Sequence, residues 1–101
     1  MNEAGGEPRS ITVPVAHLKP GQKGVVVRLD AESDLRQHLL EMGFTRGTEV
    51  EFLRQAPLGD PIDLKLRSYR LSLRRNEAAA VIVEVKSGGV TKKLGQRKVT
   101  L

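Results

Sequence analysis

A stiff corner, Ala56-Pro57-Leu58-Gly59-Asp60-Pro61-Ile62, divides two stretches in which apolar residues recur at every second position. Pro57 fixes φ at the second place of a β-turn and Gly59 suits the fourth, so Ala56–Gly59 reads as a type I turn. Pro61 biases Asp60 toward extended backbone and launches the next strand. Val50 and Phe52 alternate with polar residues before the corner, and Ile62, Leu64 and Leu66 do so after it. Leu58 is left at the third position of the turn, an unusual place for a large apolar side chain. Either the tip folds back onto a core or it is presented to a partner, and the sequence leaves both readings open.

Short strands are expected on either side of this centre. Met1 to Ser10 has little apolar content and is expected to be disordered. Ile11 to Leu18 forms an extended entry, Lys19-Pro20-Gly21-Gln22 a turn, and Gly24–Leu29 a strand in which Val25, Val27 and Leu29 alternate with Val26 and Arg28. One helix follows, capped by Ser33 or by Asp30 one turn earlier, with Leu35, Leu39 and Met42 on one stripe. Gly43 ends it as a left-handed residue and Phe44 packs back beside the stripe. Leu71 and Leu73 continue the period of two, Asn76 caps a single helical turn through Ala78, and Val81, Val83 and Val85 close the domain. The fold class is mainly β: about five strands, one inserted helix and a short helical turn before the last strand, bent into a small barrel whose closure hides its edges. The domain spans residues 11–86, between a disordered segment 1–10 and a flexible basic tail 87–101.

Charge becomes informative once it is localised. The chain has 17 basic and 12 acidic residues, a net charge of +5. Lys86, Lys92, Lys93, Arg97 and Lys98 fall in a final stretch without acids, which leaves 12 basic residues against 12 acidic ones in the body. The basic excess therefore belongs to the tail, a candidate electrostatic contact for an anionic membrane or nucleic acid. The chain has no cysteine, which excludes disulfides, zinc–thiolate sites and thiol catalysis. It has no apolar run of membrane-spanning length and no secretory start, so a cytoplasmic protein is expected, at most peripheral at the inner face of the plasma membrane.

Reactive constellations are sparse. His17 precedes a turn, and His38 shares its helix with Glu41 at i+3, short of the three or four ligands a stable metal site needs. Ser10, Ser33, Ser68 and Ser72 lack a nucleophile motif, and Gly21-Gln22-Lys23-Gly24 does not join a strand to a helix as a phosphate loop does. We expect no enzyme, no cofactor and no metal site. Phe44 and Phe52 face inward in this reading, leaving Tyr69 as the exposed aromatic, too little for base stacking. Nucleic-acid binding is the alternative reading, through the tail, and a metal-sensing module at His17, His38 or Glu41 is a third.

Four segments together resemble the FeoA family of ferrous-iron transport accessory proteins: the opening Leu18–Val25, the helix end Leu39-Leu40-Glu41-Met42-Gly43-Phe44-Thr45-Arg46-Gly47-Thr48, the corner Ala56–Ile62 and the ending Leu71–Ala78. The resemblance covers about Val15 to Val85 with its spacing intact. It implies an SH3-like barrel acting beside FeoB, a membrane GTPase through which bacteria import Fe(II), with no established catalytic residues to carry over. Similar domains also occur fused to metal-responsive repressors of the DtxR type. The candidate interaction surface is the corner Leu58, Gly59 and Asp60 together with Met42, Gly43, Phe44 and Arg46 at the helix end.

Overall fold

The computed structural model describes residues 10–86 as six strands and two α-helices in the order β1 (Ser10–Pro14), a 3-10 turn (Val15–His17), β2 (Lys23–Leu29), α1 (Ser33–Met42), β3 (Glu49–Gln55), β4 (Ile62–Leu66), β5 (Tyr69–Leu73), α2 (Arg75–Ala78) and β6 (Val81–Lys86). All pairings are antiparallel, in the order β1-β6-β2-β3-β4-β5. The first strand is one more than the pattern counts: the entry Ile11–Pro14, with Ser10, adds to β6 in the register Ile11↔Val85. Among the described residues, β1 and β5 end the strand order without pairing to each other, which leaves the sheet with two edges there. The basic residue Lys86 ends β6, whereas Lys92, Lys93, Arg97 and Lys98 lie outside the described residues, as does the N-terminal segment before Ser10.

Two bulges decide which side chains enter the core. In β2 the partners step from Val26↔Val83 to Arg28↔Ile82, leaving Val27 as an extra residue. Strand faces alternate with period two, so one inserted residue reverses the phase. Gly24 and Val26 point inward before the bulge and Leu29 after it, while Val25 is 37% exposed. The simple alternation of Val25, Val27 and Leu29 therefore does not lie on one face. A second bulge between Phe52 and Arg54 does the same at Leu53, so Phe52 is buried and Leu53 half-buried. Gly24 is required by close approach: a Cβ there would meet Val83 Cγ2 at 2.6 Å.

Helix α1 begins differently from its sequence signals. Glu32 is the N-cap and no side chain caps it; Ser33 is already the first helical residue, and Asp30 is held by Arg28 at 2.9 Å. Its end follows the expected chemistry. Gly43, at φ +108°, donates to Leu40 O at 3.0 Å, and Phe44 N–H donates to Leu39 O at 3.1 Å, the paired bonds of a Schellman motif. The accompanying apolar contact is made by Leu39 and Phe44, both fully buried. The short helix α2 starts after Arg74, whose N–H is accepted by Glu77 Oε1 at 2.9 Å, so Glu77 rather than Asn76 satisfies its start.

Candidate functional site

The corner is built as its residues dictate and then clamped by a group the sequence does not advertise. Gly59 N–H donates to Ala56 O at 2.7 Å, closing the turn, and Ala56 N–H donates to Pro61 O at 3.0 Å across the cis Asp60–Pro61 bond. Asp60 Oδ1 accepts the backbone N–H of Arg75 at 2.9 Å. The Arg75 guanidinium then donates from Nε to Gly59 O (2.9 Å), from Nη1 to Ala16 O (3.0 Å) and from Nη2 to Gln55 Oε1 (2.6 Å). A rigid fork of N–H donors suits three fixed acceptors on different segments. Arg75 thus ties the corner to β3 and to the turn after β1. Nothing in the spacing of Arg74-Arg75-Asn76 signals this role.

Leu58 is 95% exposed at the tip of this clamped corner. The reading in which it plugs the barrel is therefore excluded, and the side chain meets solvent. Gly59 and Asp60 follow it, the first half-buried and the second exposed.

The other half of the expected surface lies elsewhere. Gly43 sits beside Leu66 and Tyr69, at the hairpin end of β4, whereas the corner enters β4 at Ile62. Four residues of strand separate the two, roughly 13 Å at about 3.3 Å per residue. Phe44 is fully buried and offers no contact surface. Met42 is half-buried against the core, and its carbonyl accepts the Tyr69 hydroxyl; Arg46 is exposed on the following turn. The two groups thus form separate patches.

Other candidate chemistry is dispersed. His17, His38 and Glu41 are exposed, with Glu41 accepting from Gln37 at 3.3 Å, and among the described residues no three His, Cys, Asp or Glu side chains gather as a metal-binding group. On the outer face of the sheet, Arg54 Nε and Ser72 Oγ bond Asp63 at 2.9 and 2.6 Å. The Ser72 hydroxyl first, then Arg54, hold the Asp63 carboxyl below the ordinary aspartate range. Among the described residues, no helix is long and apolar enough to cross a membrane.

The architecture is that of a small SH3-like β domain, with six antiparallel strands and two helices among the described residues. The FeoA domain family model matches residues 13–85, and the chain belongs to the FeoA family of accessory ferrous iron transport proteins. It is 36% identical over 77 residues to the Fe(2+) transport protein A/Fe(2+) transporter FeoB fusion protein of Porphyromonas gingivalis, covering 76% of this chain and 9% of the fusion. The solution structure of a FeoA-like protein from Clostridium acetobutylicum superposes with a TM-score of 0.69 at 40% identity, over 73% of this chain and 86% of that one. The zinc-complexed FeoA of Stenotrophomonas maltophilia, a prokaryotic SH3 domain protein, superposes with a TM-score of 0.62 at 26% identity, over 76% of this chain and 98% of that one.

Proposed function

We propose that this protein is a non-catalytic adaptor of ferrous iron uptake that docks its rigid corner on the cytoplasmic part of a FeoB-type membrane GTPase and thereby modulates Fe(II) transport. The observation that carries the reading is Leu58, 95% exposed on a loop fixed by Pro57, Pro61 and the Arg75 clamp. An exposed leucine with nothing to pack on gains about 1.5–3 kcal/mol when a partner buries it. A loop already ordered spends little of that gain on becoming ordered. The covalent joining of a transport protein A segment to FeoB in the Porphyromonas gingivalis relative supports the choice of partner. The basic tail then acts as a separate electrostatic tether to anionic lipid, checked by salt-sensitive vesicle binding that disappears when residues 87–101 are removed.

Leu58→Asp tests the docking. Its side chain meets solvent, so the melting temperature is expected to stay within a degree or two of the parent. Affinity for the purified cytoplasmic domain of a FeoB-type transporter is expected to fall at least tenfold. Unchanged affinity overturns the corner as the docking element.

A further inference from the structure

The balanced charge of the body conceals a segregation. Residues 62–74, the β4–β5 hairpin and the residue after it, carry Lys65, Arg67, Arg70 and Arg74, all exposed, against one carboxylate, Asp63. Asp63 is already engaged by Arg54 and Ser72. Lys65 and Arg70 stand directly opposite each other in the ladder, and Glu51 of β3 stands opposite Lys65 on its other side, so Arg70 is the cation of this row that has no carboxylate opposite it. At the hairpin tip Arg67 sits in the left-handed region, φ +48°, with its guanidinium reaching Thr48 Oγ1 at 3.2 Å.

Among the described residues, the same hairpin also carries an unpaired edge. Its two-residue loop, Arg67-Ser68, makes Leu66 and Tyr69 the hydrogen-bonded pair that closes the turn. Alternation then turns the N–H and C=O of Arg70 and Ser72 away from β4 and out of the sheet. Among the described residues these groups make no backbone bond to another element. The Tyr69 end of β5 is covered by the end of α1, where the tyrosine hydroxyl donates to Met42 O. Against this edge lies a groove of about 380 Å3, in which Leu53, displaced by its bulge, and Leu71 supply the apolar part, Arg54 and Asp63 a mutually paired cation and carboxylate, and Arg70 the remaining charge.

We propose that the free edge of β5 accepts an extended acidic segment of a partner polypeptide as an added strand, paired to the backbone of Arg70 and Ser72 with its carboxylates against Arg70 and Lys65. Alternating N–H and C=O groups are matched by another peptide backbone, which neither a phosphodiester chain nor a lipid headgroup provides. The cationic surround selects acidic residues and disfavours basic strands, including other copies of this edge. The surface contains neither Leu58 nor Gly59, so it stands or falls independently of the corner.

The test is an amide-resolved titration of the full-length chain with the blocked peptide Thr-Glu-Val-Glu-Val-Glu-Thr. The same peptide N-methylated at alternate residues, a counterpart with Lys for Glu, a thymidine dodecanucleotide and phosphatidylglycerol vesicles serve as comparisons. The acidic peptide is expected to shift Arg70, Leu71 and Ser72 and to slow exchange of the Arg70 and Ser72 amides at least tenfold. The N-methylated and lysine peptides are expected to bind at least tenfold more weakly. Arg70→Glu should weaken the acidic peptide at least tenfold with a melting temperature no lower than the parent's, since it places an opposite charge across from Lys65, while Leu58→Asp leaves the peptide's binding alone. Equal binding of the N-methylated peptide, shifts elsewhere, or no binding at millimolar peptide overturns the proposal. So does tighter binding of the oligonucleotide or vesicles at these residues.

Discussion

Arg75→Met removes the donors that clamp the corner and keeps most of the aliphatic stem. Three contacts disappear, from Nε to Gly59 O, from Nη1 to Ala16 O and from Nη2 to Gln55 Oε1, at 2.9, 3.0 and 2.6 Å. The backbone bond from Arg75 N–H to Asp60 Oδ1 survives. Gln55 is exposed and its freed amide turns to water, so it contributes little. The bonds to the Gly59 and Ala16 carbonyls are part-buried and keep their cost. A hydrogen bond from a charged donor is worth about 1.5–3 kcal/mol net, so two at the low end give a loss of about 3 kcal/mol. A small domain has about 5–15 kcal/mol of stability in total, so the loss is readily measured. The assay is urea denaturation at constant m-value, joined to hydrogen exchange at the Gly59 amide, which bonds Ala56 O at 2.7 Å. Exchange there is expected to accelerate along with the loss of stability. Arg75→Lys should recover less than half of that loss, because an ammonium cannot present a planar fork to separated acceptors. Stability within about 0.5 kcal/mol of the parent, with Gly59 exchange unchanged, would show that Pro57 and Pro61 hold the corner without the clamp.

Phe44→Ala should destabilise the fold by about 3–5 kcal/mol in denaturant, because the ring is fully buried and its removal leaves a cavity; a change under 1 kcal/mol would return Phe44 to the surface. Gly24→Ala should cost about 1–3 kcal/mol through the contact with Val83, and the double variant with Val83→Ala should recover part of it, whereas a purely additive loss refutes the steric cause. Ser72→Ala removes the main contact that depresses the Asp63 pKa, so the carboxyl should titrate at higher pH by carbon-detected NMR. Because the folded pKa is lowered, the associated stability is present above the unfolded value of about 3.9 and is lost as pH falls through the folded one; an unmoved Asp63 titration in the variant would remove Ser72 as the cause.

Features fixed by local chemistry were legible in the sequence, and those fixed by register or by long-range side chains were not. Gly43 ended α1 and returned Phe44 to Leu39 because a left-handed residue followed by an aromatic leaves few alternatives. The corner Ala56–Ile62 was readable for the same reason, since its two prolines and Gly59 each restrict the backbone. The phase of β2 was not readable: Val25, Val26 and Val27 are identical, so the inserted residue leaves no trace in the pattern. The fate of Leu58 was equally hidden, because a turn residue's exposure depends on what lies beneath it. What lies beneath is Arg75, 17 positions away in sequence, reaching across to Ala16 and Gln55. Phe44 was misplaced within the candidate surface because its neighbours Met42 and Arg46 are accessible to solvent while the residue between them is not.

The clamp and the knob should be energetically coupled in binding although they are separable in folding. Leu58 is 95% exposed, so its truncation to Ala should leave stability nearly unchanged and fall on affinity. Arg75→Met acts oppositely: it lowers stability directly, and it weakens docking only by making the partner order a loop that was formerly fixed. That ordering cost matters only while Leu58 is there to be positioned. In a double-mutant cycle, Arg75→Met should therefore weaken partner binding severalfold in the parent and hardly at all in a Leu58→Ala background. Binding losses that simply multiply would show that Arg75 contributes through its own contact with the partner, and the positioning role would be refuted.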